Sequence, residues 1–476
     1  MRRATRLSAA WGRLALGIAV AGWCSAVHAA DVIRLPAHQR VQLASGLTLV
    51  MVPQHDLPLL SVTAVVRGGA SQDRAGKAGT AALTADLLTH GAGSRDAYAF
   101  ADAVEGAGGS FDVSPHLESI TVNAHFLARD QALLLELLGD VLMRPQLDAG
   151  EFDKLRTQRI ELIKAAKDSE PEGLLTAYGR SLLFAGHPFG HPLGGSENSL
   201  AAIRLADVAA FYREQVGADR TTLVVAGDFD PVKLQAEVAR VFAHWRHAGA
   251  RLAPLPVKPR VTGRRVLLVD APGSTQTYFW MGNVGVARND PDRAALDLAN
   301  TIFGGRFTSM LNTELRIKSG LSYGASSGFT RASVPLEFAI SSFTRTEDTQ
   351  RALDLTLATL TALHRDPLAP EVIDSARNYL LGQYPLEFET AANWAAVFAE
   401  LELYALPPSY VSGYGPALAR VNAGELRRVI DSAFPTAADL DIVLIGDAAR
   451  IRGIAAGYGK VQELPLEQGD FEVGAP

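Results

Sequence analysis

Two side chains in this sequence are of the right type and spacing to act together, one gripping a carboxylate or carbonyl and the other donating to an oxyanion. Arg316 and Tyr323 fall within Gly304–Phe329, which reads GGRFTSMLNTELRIKSGLSYGASSGF. Leu311, Leu315 and Ile317 recur at near-helical spacing, and Gly320 stands where a helix would stop. The pattern predicts a helix over Thr308–Lys318, an exit through Ser319–Gly320, and an alternating strand opened by Tyr323. Arg316 then ends the helix and Tyr323 lies just beyond it, so both can project from one end of the unit. A guanidinium grips carboxylates or carbonyls in a fixed fork, and a nearby phenol can donate to an oxyanion. The plainer alternative is that Arg316 caps the helix C-terminus and Tyr323 packs on a sheet.

The elements that must position this pair belong to a duplicated chain. At 476 residues it exceeds the size at which one core stops growing, so two or more domains are expected. A hydrophobic content of 48% with 20% charged residues suits an ordinary globular protein, and a net charge of −6 gives no reason to invoke nucleic acid. Val208–Asp230 and Leu426–Ala449 each read as an amphipathic helix, a polar turn and a continuous apolar strand closing on Gly-Asp. Upstream, Leu60–Ala70 matches Thr275–Ala287, each an apolar strand followed by a helix, Thr80–Thr89 in one copy and Asp292–Phe303 in the other. A repeat this long is a duplicated domain rather than a solenoid. Between the copies, Gly249–Arg264 carries Pro254, Pro256 and Pro259 with no apolar period, a semi-rigid linker. Further helices are expected at Gln131–Leu142, Gly150–Lys167, Asp348–His364, Ala369–Gln383, Ala391–Leu403 and Ala423–Ala433. Alternating strands such as Ser119–Phe126 point to mainly antiparallel sheets with helices on one side. The fold class is therefore α+β: two homologous α/β-sandwich domains, residues 30–248 and 265–476, joined by the linker 249–264.

The N-terminus reads as an export signal. Arg2, Arg3, Arg6 and Arg13 precede a short apolar run, Leu14–Trp23, and Val27-His28-Ala29 is a plausible cleavage site, so residues 1–29 are expected to be removed. Cys24 is the only cysteine, which leaves the mature chain without disulfides, a cysteine nucleophile or thiolate metal ligands. An exported chain of this kind suggests a bacterial periplasm, with no stable membrane insertion.

The Gly304–Phe329 block resembles the second-half signature of the pitrilysin/insulysin/mitochondrial-processing-peptidase family of zinc peptidases. There a Leu-Arg-Glu-Lys helix end is followed by Gly-Leu-Ala-Tyr; here the residues are Leu315-Arg316-Ile317-Lys318 and Gly320-Leu321-Ser322-Tyr323. Ser309-Met310-Leu311 departs from the family, which usually has arginine in the middle. The resemblance covers about residues 40–460 by matching elements and implies that the two domains form half of a clamshell. It also implies that Arg316 and Tyr323 reach a peptide held over a zinc site on another domain.

In that family the first copy carries histidine, two residues, glutamate and histidine on the helix after the first strand. Two imidazoles on one helical face bind the ion, and the glutamate is general base for its water. In Gly79–Ala92 those positions fall on Ala82, Ala85 and Asp86. Asp86 could supply one oxygen. The family's third ligand, a glutamate on a later helix, would fall around Glu161–Lys164 without a definite match, so no metal site is assigned to this chain. His187 and His191 are spaced i, i+4, but Pro188, Gly190 and Pro192 forbid a regular helix, and the family gives this loop a structural role. His90 beside Gly91 suits a helix C-terminus, while His116 and His125 fall in or near a strand.

Within Gly106–Phe126, the family's matching strand is an open edge that pairs with an extended peptide, which implies substrate binding along Gly108, Gly109, Ser110, Phe111 and Asp112. The alternative is an edge blunted by Pro115 and charges against aggregation.

Together these features imply the zinc-free subunit of a heterodimeric zinc endopeptidase. The zinc and general base would be supplied by a homologous partner, with Arg316 and Tyr323 completing the partner's site. The competing class is a non-catalytic peptide-binding or scaffold subunit of a larger periplasmic assembly. A third is an independent peptidase with a rebuilt metal site.

Overall fold

The computed structural model describes residues 32–473; the expected signal segment and Cys24 lie outside the described residues. Twelve strands form two six-stranded sheets. The first contains β1 (Gln39–Gln42), β2 (Thr48–Pro53), β3 (Leu59–Arg67), β4 (Ser110–Pro115), β5 (Ser119–Leu127) and β6 (Thr221–Gly227), in the order β1-β2-β6-β3-β5-β4. The second contains β7 (Arg264–Asp270), β8 (Gln276–Val284), β9 (Ala325–Arg331), β10 (Pro335–Arg345), β11 (Leu440–Gly446) and β12 (Lys460–Pro465), in the order β12-β7-β11-β8-β10-β9. From the second position onward the orders superimpose: β2 with β7, β6 with β11, β3 with β8, β5 with β10 and β4 with β9. In both copies the second and third strands run parallel and every later pairing is antiparallel. The copies differ only in the first strand, antiparallel β1 from the N-terminal side and parallel β12 from the C-terminal side.

The long amphipathic helices form where apolar spacing places them: Gln131–Met143, Ala149–Ser169, Thr349–Arg365, Pro370–Gln383, Ala391–Leu403 and Ala423–Ala433. Their termini carry side-chain caps such as Asp148, Thr390 and Asn422. Each copy has a core between its sheet and its own helices. In the first, Leu49, Val62, Val122, Leu137 and Val225 are fully buried or nearly so; in the second, Phe279, Leu298, Phe338, Ile340 and Ile442 are.

β6 and β11 are buried at every residue, so both faces of each central strand need cover. The second face is covered by exchange. Helix Leu175–Leu183 of the first copy packs on β8 and β11 of the second, joining Tyr178 and Leu182 to Trp280, Val443 and Ile445. Helix Ala391–Leu403 of the second copy packs on β3 and β6 of the first, joining Trp394 and Phe398 to Val50, Val65 and Val224. A buried ion pair fixes one side of this exchange. Arg180 donates to Glu337 on β10, with Nη2 to Oε1 at 2.6 Å and the Glu337 side chain only 3% exposed.

Between Val241 and Arg264 there is neither regular helix nor, before β7, strand. His187 ties this segment down: Phe189 N donates to Nδ1 at 3.0 Å, and Nε2 donates to the Pro256 carbonyl at 2.8 Å. The ring is thus held neutral, and burial lowers its pKa below the ordinary imidazole value.

Two outcomes follow for stability. Trp280 lies against Gly179, where an added Cβ would come within 2.6 Å of the indole. Gly179→Val is expected to lose about 1–3 kcal/mol by overpacking, read as a lower denaturation midpoint at unchanged slope. Because the folded chain binds the His187 proton less readily than the unfolded chain, stability falls as pH drops through and below about 6.5. Midpoints measured across that range should show a shallower acid-side decline for His187→Gln.

Candidate functional site

The Arg316–Tyr323 unit is built differently from the predicted single helix. Ser309, fully buried, caps a short helical turn, Met310–Asn312, and the chain then widens into a π-helical turn over Thr313–Lys318. Ser319 N bonds back to the Glu314 carbonyl at 3.2 Å, and Leu321 N to the Leu315 carbonyl at 2.9 Å. Gly320, at φ 63°, takes the left-handed turn that ends it. The widening arises because Leu311, Leu315 and Leu321 must all reach the core across a glycine stop. π turns are rare and concentrate at functional positions.

The loop beyond is clamped from behind. Thr344 Oγ1 donates to the Leu321 carbonyl at 2.7 Å, and Ser342 Oγ lies within hydrogen-bond distance of both Ser322 Oγ at 3.0 Å and the Gly324 carbonyl at 2.8 Å. Tyr323 therefore sits between two anchored residues, yet its side chain is 81% exposed and does not pack on the sheet. Arg316 is also exposed; its guanidinium rests 4.7 Å over the Phe307 ring and engages no carboxylate. Phe307 and Ile317 are 58% and 55% exposed, so this end of the second copy presents two polar groups amid apolar surface.

On the first copy, Ala82, Ala85 and Asp86 lie on helix Thr80–Leu88, which is seated by Asp73 accepting from Gly79 N and Ala81 N at 2.8 and 2.9 Å. Ala82 and Ala85 are fully buried. Asp86 is occupied by a residue that sequence reasoning did not single out: Arg159, on helix Ala149–Ser169, donates through Nε at 2.5 Å and Nη2 at 2.8 Å. Glu161 instead forms an exposed pair with Lys164 and does not approach Asp86. The zinc group therefore does not fit here. The first histidine position (Ala82) and the general-base position (Ala85) are methyls, the second histidine position (Asp86) is paired with a guanidinium, and among the described residues no three His, Cys, Asp or Glu side chains gather to hold an ion. A cavity of about 400 Å³ opens beside Arg159, lined also by Ile163, Arg180, His191 and Phe471. His191 faces Glu472 at 3.9 Å, and His90 donates from Nδ1 to the Asp86 carbonyl at 2.7 Å, the helix-end role expected of it. No sequence pattern announced Arg159; an acid left where a metal-binding histidine would stand was the one signal that a cation must lie opposite.

The edge residues run beside this frame. β4, from Ser110 to Pro115, is the outermost strand of its sheet and packs near helix Thr80–Leu88. Gly108, at φ 64°, turns the chain into Gly109 and Ser110. Phe111 packs edge-on against Phe100, 5.3 Å between centroids, and Asp112 accepts from Ser114 Oγ at 2.6 Å. The metal frame and β4 thus belong to the first copy, and the Arg316–Tyr323 loop to the second.

Residues 51–197 match the family model described as insulinase (peptidase family M16), and residues 202–380 match that described as the peptidase M16 inactive domain. The chain belongs to the M16 peptidase family. It is 29% identical over 295 residues to an uncharacterised zinc protease of Mycobacterium bovis, covering 62% of this chain and 67% of that one. It is 22% identical over 360 residues to the non-peptidase homolog YmxG of Helicobacter pylori, covering 75% of this chain and 82% of that one. The zinc protease PqqE of the same organism is 25% identical over 293 residues, covering 60% of this chain and 65% of that one. Among solved structures, the peptidase M16 inactive domain from Pseudomonas fluorescens superimposes with a TM-score of 0.80 at 25% identity, covering 86% of this chain and 98% of that one. In this M16 chain the zinc-motif positions hold two buried methyls and a carboxylate engaged by Arg159.

Asp86→Asn leaves the Arg159 guanidinium facing a neutral amide. It is expected to lose about 1–2 kcal/mol, since the pair is only about one-fifth exposed, while the circular dichroism of the folded state is kept. Equilibrium denaturation checks it.

Proposed function

We propose that this chain is the zinc-free subunit of a heterodimeric M16 endopeptidase: a homologous partner supplies metal and general base, and Arg316 and Tyr323 complete that site. The observation that carries the reading is the contrast between the two ends of the chain. The zinc frame is filled by methyls and an ion pair, whereas Tyr323 and Arg316 stand exposed on a backbone held by Ser342 and Thr344. A loop that served only packing would have no need to present a phenol to solvent from an anchored backbone. In this role Tyr323 donates to the oxyanion of the tetrahedral intermediate and Arg316 grips a substrate carbonyl or carboxylate. The peptide lies as an added strand on β4 along Gly108–Asp112. Phe307 and Ile317 give the apolar surround that excludes water when the partner closes. That the chain is similar both to a zinc protease and to a non-peptidase homolog of one organism supports a paired arrangement. The same reading has residues 1–29 direct export to the periplasm, which fractionation of the native cell tests.

The similarity to a non-peptidase homolog also favours a second reading, a non-catalytic peptide-binding or scaffold subunit. Mixing the chain with a zinc-bearing relative separates the two. A paired enzyme cleaves peptides that neither chain cleaves alone; a scaffold adds nothing. In the active mixture Tyr323→Phe is expected to lower kcat by about a hundredfold to a thousandfold while co-elution on gel filtration stays unchanged. Normal turnover by Tyr323→Phe would remove the oxyanion role.

A further inference from the structure

The start of β4 opens into a cavity of about 550 Å³, the largest of those described, which the metal frame and the Arg316–Tyr323 loop do not use. Its walls come from both copies. Leu57, Leu59 and Phe126 belong to the first, Phe388 and Trp394 to the second, and the backbone of Gly108, Gly109 and Ser110 forms one side. Leu57, just before β3, and Leu59, at its start, are 62% and 42% exposed, a large apolar surface to leave in water at the cavity. Gly109 matters to the shape. An added Cβ there would come within 2.7 Å of the Phe126 ring, so only glycine lets that ring lie against the backbone as a wall. Trp394 and Phe388 stack on each other at 5.1 Å and sit on the exchanged helix and its lead-in, which fixes the opposite wall.

We propose that this cavity seats one bulky apolar side chain, aromatic or leucine-like, of the extended peptide carried on β4. The inference rests on the reading that peptide pairs with that edge. A strand laid along β4 and continued past Ser110 reaches Gly109 and Gly108, whose backbone lines the cavity. Backbone pairing is indifferent to side chains, so the ladder supplies affinity and a pocket at its end supplies selectivity. The cavity is large enough to admit one bulky side chain together with the peptide backbone beside it, and its lining is mostly apolar, the composition of a recognition pocket.

The test uses the mature chain and labelled extended peptides of about ten residues, Thr- and Ala-rich, with Phe placed at one position at a time. Binding is read by fluorescence anisotropy. Phe at one position is expected to bind roughly ten- to a hundredfold more tightly than Ala there. That preference should vanish in Leu57→Asp/Leu59→Asp, whose exposed side chains leave the core untouched, while the residual binding of the all-Ala peptide is kept. Peptides that bind equally with Ala or Phe at every position would overturn the pocket and leave edge pairing standing. A Phe preference surviving the double substitution would overturn it too. No binding by any peptide would overturn both the pocket and the edge reading beneath it.

Discussion

Everything in this molecule depends on the exchange of one helix between its halves. A central strand buried on both faces cannot be stable against water on one side, because each uncovered apolar side chain forfeits on the order of 1.5–3 kcal/mol. β6 and β11 are such strands, and neither copy keeps enough of its own helices to cover both faces. Leu175–Leu183 and Ala391–Leu403 supply the missing cover in opposite directions. The halves are consequently locked in one orientation, with Arg180 and the almost fully buried Glu337 as a polar peg: losing either leaves the other charge stranded in the core. The closed zinc frame of one half and the exposed loop of the other are therefore carried on halves joined by reciprocal packing.

The two ends of the molecule have been treated in opposite ways by the same physics. A helix face that would bind a divalent ion concentrates ligands and has to stay open. With methyls in place of one imidazole and the general base it can close, and Ala82 and Ala85 are buried without remainder. The one polar group kept there, Asp86, needs a positive partner, and Arg159 reaches across from the neighbouring helix in the bidentate geometry that suits a carboxylate. At the other end the backbone is held by hydroxyl groups of β10, and the side chains it carries are left free.

Much of this was legible in the residues. The duplication was visible because each copy repeats an apolar strand, a helix and a closing Gly-Asp strand, and the two sheets repeat one strand order. The long helices lie within a residue or two of where apolar spacing put them, since strong periodicity outweighs local detail. Loss of the zinc ligands could be read directly, because alanine has no lone pair to offer. Arg159 was hidden because its pairing with Asp86 spans 73 positions and no local pattern records it. The π turn was hidden because Thr313–Lys318 has ordinary helix-forming residues, and the widening comes from core contacts beyond Gly320. Helix exchange was hidden for a similar reason: periodicity shows that a helix has an apolar face, not which sheet receives it. The pocket beyond β4 joins residues more than two hundred positions apart and became visible only with both copies in place.

The Arg159–Asp86 bridge has one further consequence. A zinc site joins its helices through an atom that must be acquired from the surroundings and can be stripped away again. Here the joining charge is part of the polypeptide, present from synthesis and beyond the reach of any chelator. Scarcity of the ion cannot part these two helices at that contact.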